Sequence, residues 1–279
     1  MSLYTERSYG RNSEVADIYH RFDAGDDVSM PGPRRLGKTF VLDRVVDAAL
    51  DRGWRAIKVE VAGCPDAGAF FRELCAKIDA SRSQWYRGVT WVKQRTGQLT
   101  NPRQDQPGPW YQPLVGVDHQ SYFERLLGQL NDDREQRSTL LIDELPIFLK
   151  ALHDKGPDGI AAACNLMNLL SRLRQGYPCV RWLITGSIGI EPLARVGNYM
   201  GVLAKFKTYE LRPLSREQAR DLVQDLAREG RLISRRTITD AEAEALVDAT
   251  GWLAAYYLEA LAQKLSGEPS EDPVQAQRA

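Results

Sequence analysis

Gly32-Pro33-Arg34-Arg35-Leu36-Gly37-Lys38-Thr39 places two glycines five positions apart, with a lysine and a threonine directly after the second. Glycine at those positions lets the backbone curl so that successive N–H groups face inward, a concavity suited to an anion. A helix opening at Lys38 adds the positive end of its dipole. Lys38 then reaches the outer phosphates of a nucleotide, and the Thr39 hydroxyl is a magnesium ligand. The plain alternative is a flexible basic loop before an ordinary helix. The context argues for the phosphate loop: residues 28–30 read as a short strand, and 38–50 as a helix. Val41, Leu42, Val45, Val46 and Ala49 form one stripe of that helix and Gly53 stops it. The candidate ATP-binding set is therefore Gly32, Pro33, Arg34, Arg35, Leu36, Gly37, Lys38, Thr39 and Phe40, with Mg2+ as the accompanying ion.

A second motif lies about a hundred residues on. Residues 138–142 form an apolar strand that ends in Asp143 and Glu144. A buried strand of an α/β sheet delivers such residues to the edge where a phosphate loop also sits. There Asp143 can hold the magnesium ion, and Glu144 can orient and deprotonate a water. Because Pro146 follows, the same pair also reads as an acidic start to a helix.

Strand-like and helix-like segments alternate along the chain, the signature of an α/β domain. Residues 55–61, 179–185 and 206–211 are further strands, and 70–78, 122–130 and 160–174 are helices. A glutamate directly after the acidic aspartate belongs to P-loop ATPases with sheet order 5-1-4-3-2, so the strand at 179–185 is expected at the centre. Its end places Ser187, or alternatively Thr185, near the outermost phosphate. Ser187 is favoured here, against a plain role as turn and helix cap. From residue 214 the strands stop. Ser215 with Gln218, and Thr239 with Glu242, are capping boxes opening two helices, and 253–265 is a third. The expected organisation is a three-layer core over 1–212, a helical lid over 213–266 and a disordered tail over 267–279.

These features resemble the AAA+ ATPases of the origin-recognition and STAND neighbourhood, most closely the prokaryotic archaeal-type ATPases. Gly10-Arg11 with Glu14 resembles the box that opens such domains, which implies that Arg11 lies near the adenine. Gly32 to Thr39 resembles their GPRRxGKT loop, with the Arg34–Arg35 doublet its most specific part. Leu141-Ile142-Asp143-Glu144 is similar to their acidic strand, Thr185-Gly186-Ser187 to their sensor region and Pro213-Leu214-Ser215 to the entry of the lid. The resemblance implies ATP hydrolysis with Lys38, Glu144 and Ser187 as catalytic residues and Thr39 and Asp143 at the metal. One departure is at Thr250-Gly251-Trp252-Leu253, where Leu253 stands in place of a lid proline and no arginine is near. Arg181 and Arg195 are the candidates for an arginine finger.

Residues 81–118 interrupt the pattern. Trp85, Trp91 and Trp110 are interleaved there with Arg82, Arg87, Lys93, Arg95 and Arg103. The segment reads as an insertion that folds back on the core, meets a protein partner or stacks on unpaired bases. Across all 279 residues, 37 positive and 37 negative side chains balance, which weighs against an obligate nucleic-acid coat. Cys64, Cys75, Cys164 and Cys179 lack metal-site spacing. No apolar run reaches membrane-spanning length, so the chain reads as cytoplasmic. Three functions remain: an ATPase that assembles or engages a partner, a slow nucleotide switch, and a DNA-loading factor.

Overall fold

Five parallel strands form one sheet in the computed structural model, which describes residues 11–95, 118–133, 135–230, 232, 234 and 236–265, the stretch 82–95 by its backbone alone. The strands are β1 (Val28–Pro31), β2 (Trp54–Glu60), β3 (Arg137–Asp143), β4 (Val180–Gly186) and β5 (Lys207–Thr208). Their order is β2-β3-β4-β1-β5, so β4 lies between the strands that precede the phosphate loop and carry the acidic pair. Register runs from Val28 opposite Leu183 on one side of β4 to Leu141 opposite Leu183 on the other. This is the 5-1-4-3-2 order of a P-loop NTPase sheet.

Period-two alternation divides β3 and β4 between two cores. Leu140, Ile142, Trp182 and Ile184 face one apolar cluster, built with α3 (Ala67–Arg95), α4 (His119–Asp132), α5 (Leu145–His153) and α6 (Pro157–Gly176). Leu141 and Leu183 face the other, built with α1 (Asn12–Asp23) and α2 (Lys38–Ala49). A parallel strand covered on both faces needs a continuous apolar run, which is why residues 140–142 show no polar alternation. The charge at Asp26–Asp27, unfavourable beside a strand, has a local use. Asp27 is buried, accepts from the Trp182 amide at 2.9 Å and pairs with Arg174, tying β1 to β4 and to the end of α6.

The segment read as an insertion differs from expectation in its first half. Residues 81–95 have no proline and one glycine, Gly88, so the helix nucleated on the packed part of α3 propagates through Arg95. Trp85 and Trp91 fall on that helix; residues 96–117, with Trp110, lie outside the described residues. The strand expected over 206–211 is also shorter. Only Lys207 and Thr208 pair as β5, although the Tyr209 amide still donates to the Ser29 carbonyl at 2.8 Å. The short partner β1 ends at Pro31, leaving little edge to extend.

After β5 come α9 (Arg216–Arg228), α10 (Asp240–Thr250) and α11 (Ala255–Ala262), which share a third apolar cluster around Leu222, Val223, Leu246 and Leu258. Both capping boxes are formed, Ser215 with Gln218 and Thr239 with Glu242. Between β4 and β5 lie α7 (Glu191–Val196) and α8 (Met200–Leu203), which the sequence pattern did not indicate. Among the described residues no helix is long and apolar enough to cross a membrane.

Where β4 ends, it lies close against the start of α5. A Cβ added at Gly186 would stand 2.3 Å from Cγ and 2.6 Å from Cδ of Pro146, a rigid ring that cannot swing aside. Gly186→Ala is therefore expected to lower unfolding free energy by about 1–3 kcal/mol, measured by guanidinium titration against the wild type.

Candidate nucleotide site

The loop between β1 and α2 closes on itself through backbone geometry. Gly37 is the N-cap of α2 with φ 96°, a left-handed conformation that costs glycine little. Arg35 also lies in the left-handed region at φ 71°. The Gly32 amide donates to the Gly186 carbonyl at 3.2 Å, anchoring the loop to the end of β4. An α-helix leaves its first N–H groups without intrahelical partners, so the start of α2 presents donors and a positive dipole end to the loop interior.

Lys38 is buried, and its Nζ donates to the carbonyls of Gly32 at 2.6 Å and Pro33 at 2.8 Å. Burial pushes its pKa below the ordinary lysine value. Glu144 and Asp143 oppose that shift by their charge, and Arg34 adds to it. The lysine charge thus sits inside the loop with both carboxylates near.

Asp143 joins three elements. Its Oδ2 accepts from the Thr39 hydroxyl at 3.0 Å, and its Oδ1 accepts a short hydrogen bond from the Thr185 hydroxyl. Only 2% of the residue is exposed, so its charge depends on these donors. Glu144 is the N-cap of α5 at φ 58°, so the strand-end and helix-start readings of the acidic pair both hold. That left-handed turn swings Glu144 out of the strand, and its amide donates to Thr185 Oγ1 at 3.3 Å. Its Oε2 accepts from both the amide and the hydroxyl of Ser187, each at 2.8 Å. Arg34 Nε approaches the Ser187 hydroxyl at 3.4 Å.

The structure therefore gathers Lys38, Thr39, Asp143, Glu144, Ser187 and Arg34 at one edge of the sheet. Ser187 contacts Glu144, while Thr185 contacts Asp143. Arg11 stands at the margin and is committed elsewhere: it donates to Glu14 at 2.6 Å, to the Arg212 carbonyl at 2.9 Å and to the Leu36 carbonyl at 3.3 Å. Gly10 lies outside the described residues. Arg181 is the second residue of β4, at the end of the strand far from the loop, and is bonded to the Gly25 carbonyl, and Arg195 is exposed on α7.

A cavity of about 690 Å³ opens beside this edge, within the range of small-molecule sites. Arg11, Arg34, Arg35, Leu36, Gly37, Lys38, Thr39, Phe40 and Glu144 line its core side. Leu214, Leu222, Ala255, Tyr256 and Glu259 line the other side and come from the helical unit. Sequence reasoning did not single out this second wall. The available signal was the aromatic run Trp252, Tyr256 and Tyr257, whose first two members are exposed though aromatic.

No protein-family model matches the chain, and no curated protein matches it by sequence. Solved structures do match. A Walker-type ATPase of Pyrococcus abyssi superposes with TM-score 0.59 at 15% identity, covering 91% of this chain and 67% of that one. The ORC2 protein of Aeropyrum pernix in its ADP form gives TM-score 0.55 at 15% identity over 100% of this chain and 69% of its own. Hsp104 of S. cerevisiae, solved with casein, gives TM-score 0.52 at 13% identity over 91% of this chain. The chain spans about two thirds of the two archaeal proteins and 36% of Hsp104. These neighbours are AAA+ P-loop ATPases, and this chain has their fold.

Thr185→Val keeps the side-chain shape but removes the hydroxyl that meets Asp143 and the Glu144 amide. Unfolding free energy should fall by about 1–3 kcal/mol, the cost of leaving a buried polar partner unmatched. Thermal and urea unfolding of the variant measure it.

Proposed function

We propose that the protein binds ATP with Mg2+ and hydrolyses it, and that its nucleotide state controls assembly or the engagement of a protein partner. The observation that carries this reading is the contact of Thr39 Oγ1 with Asp143 Oδ2 at 3.0 Å, with Glu144 next in sequence and Lys38 inside the loop. One hydroxyl and one carboxylate suit an ion that keeps most of its coordination for water and phosphate oxygens. Among the described residues no group of three or more His, Cys, Asp or Glu offers an all-protein metal cage. Thr39 and Asp143 would hold Mg2+, which when bound neutralises charge on the phosphate oxygens.

Lys38 exchanges the carbonyls of Gly32 and Pro33 for the outer phosphate oxygens. Glu144 accepts a proton from water as the water oxygen bonds to the terminal phosphorus and the bond to the leaving ADP oxygen breaks. Both Ser187 donors go to Oε2, so Oε1 is the oxygen offered to that water. The apolar lining, with Leu36 and Phe40 from the core and Leu214 and Ala255 from the helical unit, suits the base and ribose.

The same two hydrogen bonds from Ser187 support a second reading, a switch that holds nucleotide and turns over slowly because its base is restrained. A DNA-loading role is weaker given the 37-to-37 charge balance. The proposed partner contact involves residues 81–118, of which 96–117 lie outside the described residues, and the proposed compartment is the cytoplasm, where ATP and Mg2+ are abundant. The resemblance to the STAND neighbourhood supports a place in a multi-component signalling or defence system.

In calorimetric titration, Lys38→Ala should weaken ATP binding about ten- to a hundredfold, the loss of charged hydrogen bonds; unchanged affinity rules out the phosphate-loop role. Glu144→Gln should keep ATP affinity while phosphate release falls about a hundredfold or more. Ser187→Ala separates the two readings: phosphate release drops if Ser187 positions the base and rises if it restrains it.

A further inference from the structure

The helical wall of the cavity brings no positive group to the phosphates. Its lining is apolar or aromatic except for Glu259, so among the described residues every cation in the lining belongs to the core. One core cation nevertheless reaches across. The Arg35 guanidinium carbon lies 4.2 Å from the Tyr256 ring centroid and 5.8 Å from that of Tyr257. Tyr257 in turn packs against Trp252 at 5.6 Å and meets Tyr256 edge to face at 5.4 Å. Tyr256 is 46% exposed, so core burial does not account for its position.

We infer that Tyr256 is a positioning residue of the nucleotide site: its ring holds Arg35, and through Arg35 the lid and the phosphate loop are fixed to one another. The inference rests on the nucleotide-binding reading above. Arg35 occupies a left-handed backbone position inside the loop, so its side chain and the loop path are linked. A cation over a ring face uses its charge and consumes no N–H donor, so the guanidinium keeps its edge for an anion. A leucine at the same place offers no π face, whereas phenylalanine does. A lysine at Arg35 would be a poor substitute, being a compact and strongly hydrated charge. The lid thus acts on the phosphate region through a ring on α11 that meets an arginine of the loop.

The test follows release of ADP carrying a methylanthraniloyl fluorophore by stopped flow, from the full chain with Mg2+ present. Tyr256→Leu should speed release about two- to thirtyfold, the range expected for a lost cation–π contact. Tyr256→Phe should stay within twofold of wild type. Arg35→Gln should also speed release, and adding Tyr256→Leu to it should change the rate by less than twofold. Independent multiplication of the two single effects overturns the inference. So does unchanged release from Tyr256→Leu, or equal damage from phenylalanine and leucine. If the wild-type chain fails to bind the labelled ADP, the nucleotide reading itself fails. If it binds and the cycle is multiplicative, only the Arg35–Tyr256 link fails.

Discussion

A buried carboxylate organises this site. Asp143 carries a charge at 2% exposure, a condition that is costly unless hydrogen-bond donors meet both oxygens. Thr39 and Thr185 supply them. The first stands on the helix that follows the phosphate loop, and the second on the central strand. Satisfying one side chain therefore fixes α2 against β3 and β4 at the edge where chemistry would occur. The order of strands makes this possible, because β4 sits between the loop's strand and the acidic strand. Thr185 also accepts from the Glu144 amide, so the network that holds Asp143 sets the turn that projects Glu144.

A second set of contacts ties the helical unit to the core. The helical unit has its own apolar cluster, with Leu214 joined to Leu253 by a backbone hydrogen bond of 2.8 Å. Arg11 bonds to the Arg212 carbonyl at the connection and to Leu36 in the loop. Together with Arg35 on Tyr256, these polar contacts span the core and the helical unit near the cavity. Arg11 thus serves as a joint between the first helix, the loop and the entry to the helical unit.

Much of the fold was legible because its signals are local. Glycine spacing, a helix start after Gly37 and an uninterrupted apolar strand before Asp143 each depend on a few neighbouring residues. The sheet order followed from Glu144 standing beside Asp143 and agrees with the observed neighbours of β4. The capping boxes at Ser215 and Thr239 marked helix starts directly. What escaped notice depended on distant partners. The pairing of Asp27 with Arg174 and Trp182 spans most of the core in sequence, so nothing near Asp27 in the chain announces it. The extension of α3 through Arg95 escaped because mixed aromatic and basic residues gave no clean period, although nothing there breaks a helix. The aromatic wall at Tyr256 was not legible because its contact with Arg35 joins residues more than two hundred positions apart, and no local pattern announces that pairing. Ser187 and Thr185 were rivals for one role in sequence, whereas in space they serve different carboxylates.

Under the proposed nucleotide binding, the position of Lys38 bears on selectivity. Its ammonium group is engaged by the carbonyls of Gly32 and Pro33, which act as an internal competitor for any ligand. Binding then returns only the difference between phosphate contacts and those two carbonyl contacts. A nucleoside, with no anionic oxygens, gains nothing from displacing them, and a monophosphate that does not reach the lysine gains little. The threshold is cleared when a chain of phosphates brings several charged oxygens into the loop together. Discrimination between polyphosphate and bare nucleoside can thus arise from the loop's own backbone, without a residue dedicated to rejecting the shorter ligands.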